Sequence, residues 1–268
     1  MEEFQFAHFS DIHFIAKNSS EFVKSLPQIA HNPRDVLEEA LLQAAKEPLQ
    51  FVLLTGDIVH EGEVEEYRAV KNLFQRFLPG IPIFAAAGNH DRRKAMCLGL
   101  EGWLPKEDAP YIRSSRVGGL RVVALDSAYT CPMDGELTEE QLIVLHDILR
   151  EPAPCGTLLI LHHPLCAQKQ RLAMKMPDAL KACLELSEIK GIFTGHLHHA
   201  ETGELMGIPH FISNSLSFGI ETEETQLRYT DHCAWQLCRF SEEDGFSVKI
   251  KEVVKESKTL KTKPYPVD

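Results

Sequence analysis

The sequence predicts an α/β sandwich with its helices on the outside. Three observations predict it. Short apolar runs alternate with stretches of helical periodicity from Phe4 to Thr194. Polar clusters of Asp, Asn and His follow directly on those runs. From Ile208 to Val254 the pattern changes to strands and turns without long helices. In folds of this kind the ligand sits at the carboxyl ends of the strands, where the polar clusters fall.

The apolar runs are read as buried strands. They are Phe4 to Phe9, Phe51 to Leu54, Ile81 to Ala87, Leu120 to Leu125, Thr157 to Leu161 and Gly191 to Thr194. The helices between them have readable starts. Asn32-Pro33-Arg34-Asp35 supplies an N-cap, a proline at the first position and an acid in the first turn. Val36, Leu37, Ala40, Leu41 and Ala44 then recur at helical spacing. Thr138-Glu139-Glu140-Gln141 is a capping box ahead of Leu142, Leu145 and Leu149. Further helices are expected over Glu63 to Phe77 and roughly Lys169 to Leu186. No repeat, low-complexity tract or flexible linker divides the chain, so residues 1–254 are expected as one domain. Residues 255–268 are expected as a mobile tail.

Composition excludes several classes. The 268 residues can bury a core without disulfides. Hydrophobic residues at 44% and charged residues at 25% exclude a disordered or collagen-like chain. No apolar run reaches the roughly 18 residues of a membrane helix, and no membrane partner is expected. Net charge is −11, which opposes binding to a nucleic-acid polymer. The start carries no basic segment followed by an apolar one, so no signal peptide is expected. Seven scattered cysteines without a CxxC pair read as reduced thiols in a cytoplasm.

Thirteen histidines, several grouped with Asp and Asn, carry the chemistry. After the first strand comes Ser10-Asp11-Ile12-His13. Asp11 and His13 share a face of an extended segment and form half of a metal site. A helix-capping Asp and a surface His is the bland alternative. After the second strand, Gly56-Asp57 lets a carboxylate approach a site closely, or is ordinary turn chemistry. After the third comes Gly88-Asn89-His90-Asp91, with a neutral oxygen ligand, an imidazole and an acid. His162-His163-Pro164 and Gly195-His196-Leu197-His198-His199 follow two more apolar strands. Burying these imidazoles together without a metal would leave polar nitrogens to satisfy. Parallel strands would bring Asp11, His13, Asp57, Asn89, His162, His196 and His198 together. Seven N/O ligands exceed one four-coordinate site, so a shared carboxylate would make two. Ligation without thiolate suits Mn, Fe, Zn or Co.

The ordered series Asp11/His13, Gly56/Asp57, Gly88/Asn89/His90/Asp91, His162 and Gly195/His196/His198 resembles the calcineurin-like metallophosphoesterase superfamily. The resemblance implies a four-layer αββα sandwich, two central mixed sheets flanked by helices, holding two divalent or trivalent metal ions. One metal would take Asp11, His13, Asp57 and His198. The other would take Asp57, Asn89, His162 and His196, with His163 the alternative to His162. His90 would protonate the leaving oxygen or stabilise the transition state. Asp91 would orient His90 or cap a helix. The HHP form of the fourth motif, Leu125-Asp126-Ser127 and the stretch Gly135 to Leu142 resemble bacterial class III cyclic-nucleotide phosphodiesterases and glycerophosphodiesterases. The implied reaction is hydrolysis of a small-molecule phosphodiester by a metal-bridging hydroxide. A phosphomonoesterase is the alternative, and a non-catalytic scaffold the reading from another class.

Asp35, Asp126 and His199 are expected as structural residues, with orientation of the imidazoles as the alternative. Asn214 and Ser215 are placed at the site rim. Phe211, Leu216, Phe218 and Trp235 are expected in the core, with a homo-oligomer interface as the alternative.

Overall fold

The computed structural model describes residues 2–15, 31–104, 110–185, 188–223, 225–255 and 257–264. Strand β1 is Glu3–Phe9, β2 Phe51–Thr55 and β3 Ile83–Ala86. They are joined by helices α1, Pro33–Ala44, and α2, Val64–Phe77. These strands run parallel. The sheet is completed on the other side of β1 by β12, Cys233–Ser241, antiparallel to β1, and β13, Gly245–Val254, antiparallel to β12. Its order is β13-β12-β1-β2-β3.

The second sheet takes the middle of the chain. Its strands are β4, Ile112–Val117, β5, Leu120–Leu125, β6, Thr157–Ile160, β7, Ile189–Thr194, β8, Glu201–Leu205, and β9, Ile208–Ile212. The order is β4-β5-β6-β7-β9-β8. β5, β6, β7 and β9 are parallel, while β4 and β8 close the two edges antiparallel.

Alternation along the strands builds the layers. Phe6 of β1 meets Phe193 of β7 edge-on at 5.4 Å between the sheets. Phe9, three residues on and so on the opposite face, instead packs on Phe74 of α2 at 5.8 Å. In the second sheet Val122 and Ala124 join the inter-sheet core. Val123 and Leu125 face the other way, onto Leu142 and Leu145 of α4, Glu139–Arg150, and Leu180 of α5, Asp178–Glu185. The result is the expected αββα sandwich. Phe211, Leu216, Phe218 and Trp235 are all buried within the chain's own core.

Local signals behave as their chemistry dictates. Asn32 caps α1 by accepting from Arg34 N–H, and the Thr138–Gln141 capping box opens α4. The helix expected over Lys169 to Leu186 is corrected. Residues Gln170–Leu172 make one 3₁₀ turn, the chain then extends to Pro177, and α5 spans only Asp178–Glu185. Pro177 has no N–H and disfavours helix in the residue before it, so it starts a helix instead of lying inside one. Leu186 lies outside the described residues. The stretch expected as a mobile tail holds a strand. β14, Thr259–Pro264, pairs antiparallel with β11, Gln226–Thr230, which pairs with β10, Gly219–Thr222. Alternating apolar positions are weak in Thr259–Pro264, so only the partner strand reveals it as a strand. No helix among the described residues is long and apolar enough to cross a membrane.

Candidate metal centre

The carboxyl ends of β1, β2, β3, β6 and β7 converge, and each delivers its polar cluster to one place. The backbone is strained to do so. Asp11, His13, Asp57, His196 and His198 all adopt left-handed φ, from 43° to 70°. Non-glycine residues rarely do this, and five of the seven expected ligands do. The loops are locked by short backbone bonds. Asp11 N–H donates to Gly56 O and His13 N–H to Asp57 O at 2.8 Å. Ser215 and Ser217 hydroxyls both donate to Asp11 O, at 2.8 and 3.0 Å. Glycines make room. A Cβ on Gly88 would lie 2.2 Å from the Asp57 backbone N and Oδ1, and one on Gly195 1.8 Å from Ser10 Oγ.

Ligand atoms of Asp11, His13, Asp57 and His198, all buried, lie within 4.8 Å of one another. His198 Nε2 is 3.2 Å from Asp11 Oδ1 and 3.3 Å from His13 Nε2. Asp57 Oδ2 stands 3.5 Å from His13 Nε2 on one side and 3.5 Å from His162 Nε2 on the other. His162 Nε2 in turn faces Asn89 Oδ1 at 3.0 Å and His196 Nδ1 at 3.2 Å. All seven expected ligands are therefore in one cluster, with Asp57 between its halves. His162, not its neighbour, faces inward. His163 turns to Ser127 Oγ and Pro132 O.

The donor set fits a cation. His198 Nδ1 donates to Phe218 O at 2.9 Å, and His162 Nδ1 to Thr55 O at 2.8 Å. A carbonyl only accepts, so both rings carry their neutral-state proton on Nδ1. Their Nε2 lone pairs then point at carboxylate and amide oxygens. Asp11 Oδ1 is buried and without a hydrogen bond. Lone pairs facing lone pairs in a buried site require positive charge between them. The titration behaviour agrees. Burial opposes ionisation of Asp11, yet the neighbouring imidazoles of His198, then His162 and His13, hold its carboxyl well below the usual range. Burial also opposes charge on His162, but Asp57 and then Asp11 raise it. Burial, then neighbouring imidazoles, holds His13 well below its ordinary value and His196 down to about 3, which keeps both neutral and able to ligate.

His90 is a quarter exposed on the rim, its N–H donating to Asp57 Oδ1 at 2.8 Å. Asp91, expected to orient His90 or to cap a helix, is buried. Its carboxylate accepts from Gly88 N, Ile58 N, Val59 N and Tyr67 Oη, the last at 2.7 Å. It ties the ends of β2 and β3 to α2, and Arg92 takes the N-cap position of α3, Arg93–Met96. A buried acid holding three amides is a brace. Asp126 is engaged by Arg93, His199 by Glu201 at 2.8 Å, and Asp35 is exposed in the first turn of α1. Ser215 braces Asp11 from behind and Asn214 is buried beside it. Sequence reasoning missed His60, whose Nδ1 meets His13 Nδ1 at 3.1 Å. The spacing Gly56-Asp57-x-x-His60 was the available signal.

The chain is similar to known proteins in sequence and in fold. A sequence model described as calcineurin-like phosphoesterase matches residues 4–200. A cAMP/cGMP dual specificity phosphodiesterase of Mycobacterium tuberculosis is 30% identical over 219 residues, 79% of this chain and 67% of that protein. A glycerophosphodiester phosphodiesterase of Enterobacter lignolyticus is 26% identical over 201 residues, 72% of this chain and 70% of that protein. Among solved structures, a dimetal phosphatase from Danio rerio superposes with a TM-score of 0.59 at 16% identity, covering 84% of this chain and 95% of that one. A purple acid phosphatase from yellow lupin gives 0.54 at 14% identity, covering 94% of this chain and 53% of that one. The structural likenesses speak for the fold, and the family match spans all five motifs from Asp11 to His198. The chain belongs to the calcineurin-like phosphoesterase family and is a metal-dependent phosphoester hydrolase.

Proposed function

We propose that this chain hydrolyses a small-molecule phosphodiester, of the cyclic-nucleotide or glycerophosphodiester class, at a two-metal centre. Asp11, His13, Asp57 and His198 would hold one ion; Asp57, Asn89, His162 and His196 would hold the other. The observation that carries this reading is the Asp57 Oδ2 atom, equally distant from His13 Nε2 and His162 Nε2. That position supports a carboxylate that both ions would share. The names of the relatives support the diester class. Mn, Fe and Zn all suit the N/O donor set.

When bound, two such ions supply Lewis acidity, neutralising phosphoryl charge and making water nucleophilic near neutral pH. The protein's part is positioning. Imidazoles anchored on carbonyls hold their Nε2 atoms at fixed points, so little reorganisation is left for the reaction. His90 would give a proton to the departing oxygen; its ring lies 5.2 Å from that of His13. Asp91 keeps the loop that carries Asn89 and His90 in place. The functional unit is a single domain, cytoplasmic, with its seven cysteines all unpaired.

The test is steady-state hydrolysis of bis-p-nitrophenyl phosphate against p-nitrophenyl phosphate, with added Mn²⁺ and with chelator. The expected result is diester cleavage that dominates and vanishes with chelator. Preference for the monoester would replace this reading with a phosphatase. A purified chain that takes up no metal would replace it with a scaffold.

A further inference from the structure

Three imidazoles at the centre turn Nε2 inward and Nδ1 outward. For His162 and His198 the outward partner is a backbone carbonyl, which no substitution removes. For His13 the outward partner is a side chain, His60, with Nδ1 to Nδ1 at 3.1 Å. His60 is 7% exposed, and its ring stacks on His90 at 4.4 Å and 29°. Its backbone is registered by a short parallel bridge between Phe14 and Val59, with His60 N–H donating to Phe14 O. The segments bearing His13 and His60 are thus fixed before any ligand arrives.

We infer that His60 is a positioning residue: its Nδ1 accepts the His13 Nδ1 proton, fixing His13 in the tautomer that offers Nε2 to a metal ion, while its ring supports His90. This rests on the two-metal reading above. The chemistry follows from the imidazole itself. A neutral ring has one N–H and one lone pair. His13 can ligate through Nε2 only if Nδ1 carries the proton, and that proton needs an acceptor in a buried site. His60 Nδ1 is that acceptor, so His60 carries its own proton on Nε2. On that assignment His60 Nε2, a buried atom with no hydrogen-bond partner of its own, bears a proton and is not a ligand. His60, Glu61 and His90 lie close enough for a third ion, but the tautomer assigns His60 to His13 instead.

The test uses the full chain loaded with Zn²⁺. Long-range ¹H–¹⁵N correlation of the wild type reads the His13 tautomer directly and needs no variant. Protonation at His13 Nδ1 and at His60 Nε2 is expected. Protonation of His13 at Nε2 would overturn the inference. In parallel, Zn²⁺ affinity is measured by chelator competition for His60→Leu and His60→Asn. The leucine variant, with no acceptor, is expected to bind one of the two ions about 10–100-fold more weakly, the usual scale for such outer partners. The asparagine variant, whose amide oxygen accepts, is expected to recover most of that loss. A merely space-filling role would make leucine the better replacement. A wild type that binds two ions, with a leucine variant of equal affinity, would overturn this inference alone. A wild type that binds fewer than two ions would overturn the two-metal reading with it.

Discussion

The Nε2 atoms of His13 and His198 face each other at 3.3 Å, with Asp11 Oδ1 3.2 Å from the second of them. Two lone-pair nitrogens and an unbonded carboxylate oxygen do not share a buried space unless positive charge joins them. The centre is built for a cation by the direction of its lone pairs as much as by its ligand types.

The proposed sharing of Asp57 predicts the consequence of removing its charge. Asp57→Asn keeps the shape but removes the negative charge facing both His13 and His162. Metal content is expected to fall below two ions per chain. Diester hydrolysis is expected to fall by at least about 10²-fold, the scale of losing one preorganised charge-stabilising group. Metal analysis by mass spectrometry beside kcat/KM checks both, and a variant with two ions and undiminished turnover would refute the sharing.

Gly195 predicts a steric failure. An added methyl would meet Ser10 Oγ and, at 2.5 Å, Asp11 Oδ2. Gly195→Ala is expected to cost about 1–3 kcal/mol of stability and to weaken metal uptake. Urea unfolding and chelator competition read the two effects. An alanine variant matching wild type in both would show that this loop yields freely.

Asp91 predicts a loss of stability. Its carboxylate receives three backbone amides and the Tyr67 hydroxyl in a buried site. Asp91→Ala strands these donors and is expected to cost at least about 3 kcal/mol. A urea midpoint near that of wild type, with kcat alone reduced, would return Asp91 to the role of orienting His90.

Two buried histidines beneath the centre predict acid sensitivity. Burial holds His8 at about 4, and burial, then the nearby His8, holds His210 at about 4. His210 is bonded to Thr194 Oγ1 and Cys166 Sγ, and His8 to Thr55 Oγ1 and Gln236 Oε1. The unfolded chain takes these protons near pH 6.5 while the folded chain resists them until about pH 4. Stability is therefore full above about pH 6.5 and declines as pH falls toward 4, by up to about 3 kcal/mol for each histidine. Urea unfolding with chelator present, at pH 7.5 and pH 4.5, measures the decline. His210→Gln is expected to lose less stability between those pH values than wild type. Parallel losses in the two proteins would disprove the assignment.

The last strand predicts an effect at a distance. β14 pairs with β11, β11 with β10, and the segment leading into β10 supplies the Phe218 carbonyl to His198. Ending the chain at Val254 is expected to leave the urea midpoint close to wild type and to weaken metal binding by about tenfold. A mobile tail would leave metal binding untouched.

The sequence by itself determined the α/β class, the strands that carry the motifs, and the seven residues that now stand in one cluster. It could do so because these depend on short spacings. An apolar run of strand length ends in a glycine or a sharp turn, and the ligand must follow at once. Asn32 and Thr138 were legible as caps for the same reason. Only the tertiary structure decided what depends on distant partners. The choice of His162 over His163 follows from Thr55 and Asn89 on one side and Ser127 on the other. The placing of Asp91 beneath the loops needs Tyr67 from α2. β14 exists because β11 offers an edge, not because Thr259–Pro264 favours a strand. His60 reaches His13 across 47 positions of chain. Proton direction is set by whichever acceptor the fold brings to the outer nitrogen, and the residue types within a motif do not specify that acceptor.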